Sequence, residues 1–424
     1  MKVLLLNQCF YPDVVSTAQH LTDLAVALSE QGHEVTVIAS RRGYDNPEVR
    51  FPAHEVWKKI EIIRIPSLGL GKKAKWRRAA DFGSFLLSCV YRLLLLPRFD
   101  VVVALTSPPL ISFLGALFVR LKGGVFTFWV MDLNPDEAIA AGWLKESSLV
   151  SRGLQKLLQY SLTQARKIFV LDRFMMGRIL AKGIAEDKIV VLPPWSHSDE
   201  VRFDDEGRTA FRAEHGLTNK FVVMYSGNHS PCHPLDTLLE AAERLNANEE
   251  IHFCFVGGGS EFTKVKNFAA AHNLENVTCL PYQPLGKLAG SLSAADMHAV
   301  VMGDPFTGIV HPCKIYNILA IGSPVLYIGP ADSHVADVVS QNGAANVASS
   351  ARHGDVDAVV RHILGRARIA PVVGTVSNPE AISLSVAFAK EQLLPQMIEV
   401  LEAVAELHNR PPTAQPTDAN VPSV

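Results

Sequence analysis

No two cysteines of this chain are spaced C-x-x-C. The six present, Cys9, Cys89, Cys232, Cys254, Cys279 and Cys313, are scattered, several of them in apolar runs such as His252–Val256. A cysteine in such a run is a small core residue, and the pattern fits a reducing cytoplasm. Charge of one sign is also lacking. Lys and Arg number 40 against 42 Asp and Glu, a formal net charge of −2, which argues against nucleic-acid binding. Long apolar runs are missing as well. Met1–Asp13 has one short run, Val3–Leu6, followed by a polar loop instead of a cleavage site, so it does not read as a signal peptide. Phe82–Leu96 is interrupted by Arg92 and is too short to cross a bilayer. The dinucleotide fingerprint G-x-G-x-x-G is incomplete, and the first strand runs into Asn7–Asp13 instead, which disfavours a dehydrogenase.

What is present is α/β grammar, written twice. At 424 residues the chain exceeds what one hydrophobic core serves, so two domains are expected. A hydrophobic fraction of 48% and a mean hydropathy of +0.16 suit well-buried parallel sheets. Strand candidates are Val3–Leu6, Glu34–Ser40, Ile60–Ile65, Val101–Leu105, Gly124–Val130, Ile168–Leu171 and Ile189–Leu192. Amphipathic segments separate them, the first being Thr17–Gln31 with Leu21, Leu24, Ala25 and Leu28 on one face and Gly32 as C-cap. Pro193-Pro194-Trp195 closes this half, and the polar, acidic Ser196–Arg208 reads as a linker. The second half offers strands Phe221–Tyr225, Ile251–Val256, Val277–Leu280, Met297–Val301 and Pro324–Ile328. Helices Leu235–Leu245, Glu261–His272, Leu285–Ser293 and Lys314–Ala320 alternate with them. This alternation predicts two Rossmann-like, doubly wound parallel-sheet domains facing a cleft. Domain boundaries are expected at 1–195 and 209–377, with a long helix over 378–408 and a disordered Pro-, Thr- and Asn-rich tail at 409–424.

Met302–Gly322 carries the strongest chemical signal. An acidic turn, a loop with glycine and a helix start bearing Lys314 lead into a buried strand. That order puts backbone N–H groups, a helix N-terminus and a cation at the C-terminal edge of a parallel sheet, a place that holds a phosphate well. Gly257, Gly258 and Gly259 follow a strand and open a helix, where glycines admit a ligand or simply tighten the turn. The loop Tyr225–His233 ends another strand. Its His229, Cys232 and His233, with His311 and Cys313, could ligate zinc. Finger-like spacing is missing and two loops would have to converge, so a donor cluster for a diphosphate is the favoured reading, with no metal and no cofactor. Asp132 follows the strand Gly124–Val130 and could bond a sugar hydroxyl or take a proton. The neighbouring Asn134-Pro135-Asp136 reads as a helix cap. Lys72, Lys73, Lys75, Trp76, Arg77 and Arg78 form a basic cluster ahead of Phe82–Leu96. The combination suits an anionic membrane surface; the plainer alternative is a core helix after a solvated basic loop.

On these residues the chain resembles the family-4 retaining glycosyltransferases of the GT-B fold, nearest to the bacterial branch that builds capsule, exopolysaccharide and O-antigen units. The resemblance covers roughly residues 1–410. It rests on Phe10–Ser40, Trp129–Gly142, Tyr225–Leu245, Phe255–Phe262 and Leu292–Leu326 taken together and in order. It implies a nucleotide-diphosphate sugar as donor, a UDP-sugar being favoured, bound on the second domain. Gly227, Asn228, His233 and Lys314 would face the diphosphate, Tyr282 the base and Asn317 the ribose. Asp304, Phe306, Thr307 and Gly308 would line the sugar, with Gly257, Gly258, Gly259, Ile309 and His311 also on the donor side. Ser16, Thr17 and His20 would face the acceptor, a polyprenyl-linked glycan or other oligosaccharide, and Asp132 the reacting centre. Asp132 and Lys314 are the catalytic candidates. The long C-terminal helix would cross back to the first domain, and the protein would be cytoplasmic, peripheral on the inner membrane face.

Departures from the family pattern are specific. Of the family's two glutamates, eight positions apart, the second is Asn317 here, and the nearest candidate for the first is Asp304, thirteen positions earlier. The Arg and Lys that grip the diphosphate appear as Asn228 and His233, leaving Lys314, histidines and helix termini to compensate. The glycine pair of the first loop is replaced by Ser16-Thr17. Two rival readings follow: a GT-B sugar-nucleotide epimerase, and a GT-B pseudoenzyme acting as a partner subunit.

Overall fold

The computed structural model describes residues 1–44, 46, 48–70, 75–196, 201–340, 347–369 and 378–409. Eight strands form the first sheet: β1 (Lys2–Leu6), β2 (Glu34–Ser40), β3 (His54–Trp57), β4 (Ile60–Ile65), β5 (Val101–Ala104), β6 (Val125–Trp129), β7 (Lys167–Val170) and β8 (Ile189–Val191). Their order is β3-β4-β2-β1-β5-β6-β7-β8. Six form the second: β9 (Phe221–Asn228), β10 (Ile251–Gly258), β11 (Val277–Leu280), β12 (Met297–Val301), β13 (Val325–Ile328) and β14 (Ala348–Ala351), ordered β11-β10-β9-β12-β13-β14. Both orders double back about a central strand, as in Rossmann-like sheets. Runs such as Val101–Ala104 and Val125–Trp129 are buried at every position, the mark of parallel strands covered on both faces.

The chain packs into two compact units. The first comprises Met1–Trp129, Tyr160–Ile168 and the last helix from Pro395 on. The second comprises Val130–Gln159 and Phe169–Leu394. The first unit holds His33 against Glu402 at 2.9 Å, which anchors the part of the helix Lys390–Asn409 from Pro395 on within it. The second unit has its own core, built from Val223, Tyr225, Phe253, Phe255, Leu238 and Leu326. Asp132 belongs to this second unit, although the strand leading to it belongs to the first.

Four features differ from the sequence expectation. β3 pairs antiparallel with β4, so the first sheet is not purely parallel. Its four residues alternate between exposed and half-buried positions and leave no apolar run to read. The stretch read as a linker enters a helix at Asp205–Glu214. Arg208 and Arg212 there are buried and both pair with Asp296, at 2.7 and 3.0 Å, so polar composition concealed an interior ion-pair network. The single long C-terminal helix is two, Pro379–Val386 and Lys390–Asn409. The break falls where the Ser196 N–H donates to the Phe388 carbonyl at 2.7 Å, drawing that carbonyl out of the helical pattern. The basic-flanked helix begins at Lys75, earlier than read. Lys72, Lys73 and the tail beyond 409 lie outside the described residues, as do the side chains of Lys75, Trp76 and Arg78; Arg77 is exposed.

Candidate functional site

Within the second unit the strand order reverses between β9 and β12, and the loops leaving their C-terminal ends flank that point. β9 and β10 stay in register to their last residues, Gly227 opposite Gly257 and Asn228 opposite Gly258. Side chains cannot fit there. A Cβ on Gly257 would lie 2.0 Å from the Gly227 carbonyl oxygen, and one on Gly259 would lie 2.3 Å from that of His229. Gly227, Gly257 and Gly259 all have positive φ, 137°, 138° and 122°. The glycines thus serve first to bring two loops together. Gly227 adds something further: a Cβ there would meet the Lys314 ammonium at 3.2 Å.

Lys314 is the first residue of the seven-residue helix Lys314–Ala320. Its Nζ lies 3.5 Å from the centre of the Tyr225 ring and has no hydrogen-bond partner among the described residues. Burial lowers it from an ordinary 10.5 to about 7. A cation without a counter-charge in an apolar setting is costly, and its tip lies beside a glycine in positive φ. This arrangement suits an anion supplied from outside. Tyr282 lies over Gly258, 3.0 Å from where a Cβ would be, with half its surface open. Asn228 is exposed at the last position of β9, and Asn317 is half-buried one turn along the helix from Lys314.

The histidines do not replace the missing cations. His229 Nδ1 faces the Gly258 carbonyl at 3.3 Å and His233 Nδ1 donates to Val301 O at 2.8 Å. Burial, reinforced by Lys314, pushes them down to about 4 and about 3, so both are neutral near pH 7. His311 leaves the donor set altogether. Its Nδ1 donates to Asp172 Oδ2 at 2.7 Å and its Nε2 accepts from the Tyr316 hydroxyl at 2.6 Å, so neither ring nitrogen is left for a ligand. Asp172 also caps the helix Arg173–Ala181 by accepting from the Phe174 and Met175 N–H groups. The five zinc-ligand candidates therefore do not converge. Asp172, His311 and His334 do approach one another, but the two imidazoles stack face to face at 3.6 Å. Both His311 nitrogens are engaged, so a metal there would have to displace Asp172 or Tyr316 from the ring.

The sugar loop is mostly backbone. Asp304–Phe306 is a single 3₁₀ turn with Asp304 exposed and Phe306 buried against Gly303. Gly308 (φ 71°) sits where a Cβ would strike the Phe174 backbone at 2.6 Å. The Thr307 carbonyl accepts from Arg178 at 3.1 Å. The buried Ile309 accepts the Leu133 N–H at 2.9 Å, which ties the Asp132 segment to this loop. Asp132 is half-buried. Burial and then the neighbouring Glu137 raise it to about 8. Glu137 Oε2 accepts from Asn134 Nδ2 at 3.0 Å, and its Oε1 lies 3.9 Å from the Cys232 thiol. Sequence reading passed over Glu137, whose position in a presumed helix start was its only signal. The cap reading of Asn134-Pro135-Asp136 fails in detail. Asn134 bonds the Glu137 side chain instead of a backbone N–H, and Asp136 pairs with Lys182 at 2.8 Å. Ser16, Thr17 and His20 belong to the first unit, where His20 is buried with Nδ1 on the Ser16 carbonyl at 2.7 Å.

Two Rossmann-like sheets, the second with a glycine-lined edge and an unpaired lysine at its point of reversal, define the GT-B class. Residues 17–195 match the glycosyl transferase 4-like domain, and residues 207–363 match the glycosyl transferases group 1 domain. The chain belongs to this glycosyltransferase family. It is 26% identical over 337 residues to WcaI of Escherichia coli, a protein named for colanic acid biosynthesis; the alignment covers 76% of this chain and 82% of that one. Among solved structures it resembles sucrose-phosphate synthase from Thermosynechococcus elongatus (TM-score 0.73, 14% identity, covering 96% and 100% of the two chains). It also resembles Anabaena HepE in complex with UDP and glucose (TM-score 0.70, 14% identity, 95% and 100%). None of these matches supports the epimerase reading.

Proposed function

We propose that this protein is a retaining, metal-independent glycosyltransferase of cell-surface polysaccharide synthesis. It moves a sugar from a nucleotide-diphosphate sugar, UDP-linked by preference, to a polyprenyl-linked glycan at the inner membrane face. The observation that carries the reading is the Lys314 ammonium, buried, unpaired and set beside Gly227 at the sheet edge. The UDP bound in the HepE structure and the role in WcaI's name support the choice of donor and pathway class.

In this scheme the bond from the sugar C1 to the diphosphate oxygen breaks as the acceptor oxygen bonds C1 from the same face. The departing phosphate oxygen takes the acceptor proton. Lys314 supplies the charge that stabilises the leaving oxygens. Asp132 and Glu137 together hold a proton near neutrality, so Asp132 acts as a hydrogen-bond donor that orients an acceptor or sugar hydroxyl. The alternative, a non-catalytic partner subunit, draws on Asn228 and the neutral His233 standing where the family has cations. Thermal stabilisation by UDP, GDP, ADP, dTDP and their sugars, measured without metal, separates the two. A selective upward shift with the UDP series is expected, because a ligand bound only to the folded state stabilises it by mass action. No shift with any of them would favour the partner subunit.

A further inference from the structure

The helix Lys75–Leu95 is apolar on both sides. Phe85, Cys89, Leu93 and the following Leu96 are buried. On the other side Leu87, Tyr91, Leu94 and Leu95 are 74%, 69%, 57% and 61% exposed. Their spacing, i, i+4, i+7 and i+8, sets them on one stripe. A second helix, Ile111–Lys122, ends beside the stripe: Lys122 Nζ donates to the Leu94 carbonyl at 3.2 Å, and Leu121 is 63% exposed. Single exposed leucines need no explanation, but a contiguous row of them marks an interaction surface.

Charge identifies the partner. Arg77 lies earlier on the same helix, Arg98 three residues beyond Leu95, and Arg120 and Lys122 in the last turn of the second helix; all four are exposed. Ile111–Lys122 contains no acidic residue, and Lys75–Leu95 contains one, Asp81, whose Oδ1 accepts the Leu70 N–H at 2.8 Å. A second copy of this face would bring arginine against arginine, whereas an anionic bilayer offers acyl chains to the leucines and phosphates to the rim. We propose that the stripe Leu87–Tyr91–Leu94–Leu95, extended by Leu121, is the surface on which this protein seats itself in an anionic membrane. The inference deepens the reading of a lipid-linked acceptor, on which it rests for its purpose but not for its geometry. No helix of the described residues is long and apolar enough to cross a membrane, so the contact would be one of lying in the interface.

The test is co-sedimentation of the full chain with phosphatidylcholine vesicles, with and without phosphatidylglycerol. Binding to the anionic vesicles, weakened by salt, is expected. The Leu94→Glu/Leu95→Glu variant should lose at least about tenfold in partitioning while keeping its melting temperature, since each leucine forfeits its burial in the acyl region. Arg98→Glu/Arg120→Glu should lose the preference for anionic over neutral vesicles. Wild-type protein that ignores anionic vesicles, or leucine variants that bind like wild type, would overturn the proposal. So would a wild-type dimer that the leucine variant converts to monomer with vesicle binding unchanged. Sugar transfer to a soluble acceptor analogue without vesicles tests the transferase reading separately.

Discussion

Lys314 is a residue whose folded environment opposes its charge. Because burial holds it at about 7 against an ordinary 10.5, the unfolded chain binds this proton more tightly than the folded one between those values. Folding stability from this group therefore rises with pH across that interval and is lowest at and below pH 7. Lys314→Met should raise the melting temperature at pH 7, and by less near pH 10, while abolishing the nucleotide-induced shift and lowering turnover by about 100-fold or more. The wild-type affinity for a nucleotide sugar should weaken as pH rises above 7, and that of the variant should not respond. A variant less stable than wild type at pH 7 would show that Lys314 already has its partner. Asp132 poses the converse case, a carboxyl raised to about 8 by burial and by Glu137. Glu137→Gln removes one of these causes. With saturating donor, whose diphosphate keeps Lys314 protonated, the alkaline limb of the kcat profile should then move to lower pH, and an unmoved limb would take Asp132 out of the reaction.

At the scale of the element, the β9 and β10 ends make two glycine substitutions unequal. Gly257→Ala meets a carbonyl oxygen at 2.0 Å with φ at 138°. It should cost about 2–4 kcal/mol in urea unfolding and disorder both loops. Gly258→Ala meets only the edge of the Tyr282 ring, at 3.0 Å and an ordinary φ. It should leave the melting temperature in place and reduce nucleotide affinity by displacing the ring. Equal destabilisation by the two would refute the division of labour between packing and ligand contact. These strands were legible because parallel strands buried on both faces leave unbroken apolar runs; Met297–Val301 and the helix Lys314–Ala320 match their sequence reading residue for residue. β14 was not, since Ala348–Ala351 is Ala-Ser-Ser-Ala and has no apolar period. Asp205–Glu214 was hidden because its buried face is arginine, and only Asp296, more than 80 positions away, explains why arginine is inside. The candidate site divides the same way. Lys314 and Gly227 stood out locally, whereas the exclusion of His311 depends on Asp172, which is 139 positions distant.

For the whole molecule, the division into two units makes a prediction about where a ligand is felt. Lys314, with Gly227 and Tyr225 beside it, and the other donor-side candidates Asn228, Gly257–Gly259, Tyr282 and Asn317 all belong to the second unit, and so does the Asp132–Glu137 segment. The second sheet lies wholly in the second unit and β1 to β6 in the first, and each unit is large enough to hold its own core. A nucleotide diphosphate alone should therefore slow amide hydrogen exchange first at the ends of β9 and β10 and at the start of Lys314–Ala320. Leu133 should follow, since its N–H is held by the carbonyl of Ile309 in the sugar loop. Amides of β1, β2 and β5 should exchange at the ligand-free rate, because local opening is governed by the stability of the unit in which it occurs. Addition of the acceptor should extend protection to the first turn of Ser16–Glu30, where Ser16 and Thr17 lie. If the nucleotide alone protected β1 and Ser16–Glu30 as strongly as β9, the donor would be held by residues of the first unit, and Lys314 would not be its principal anchor.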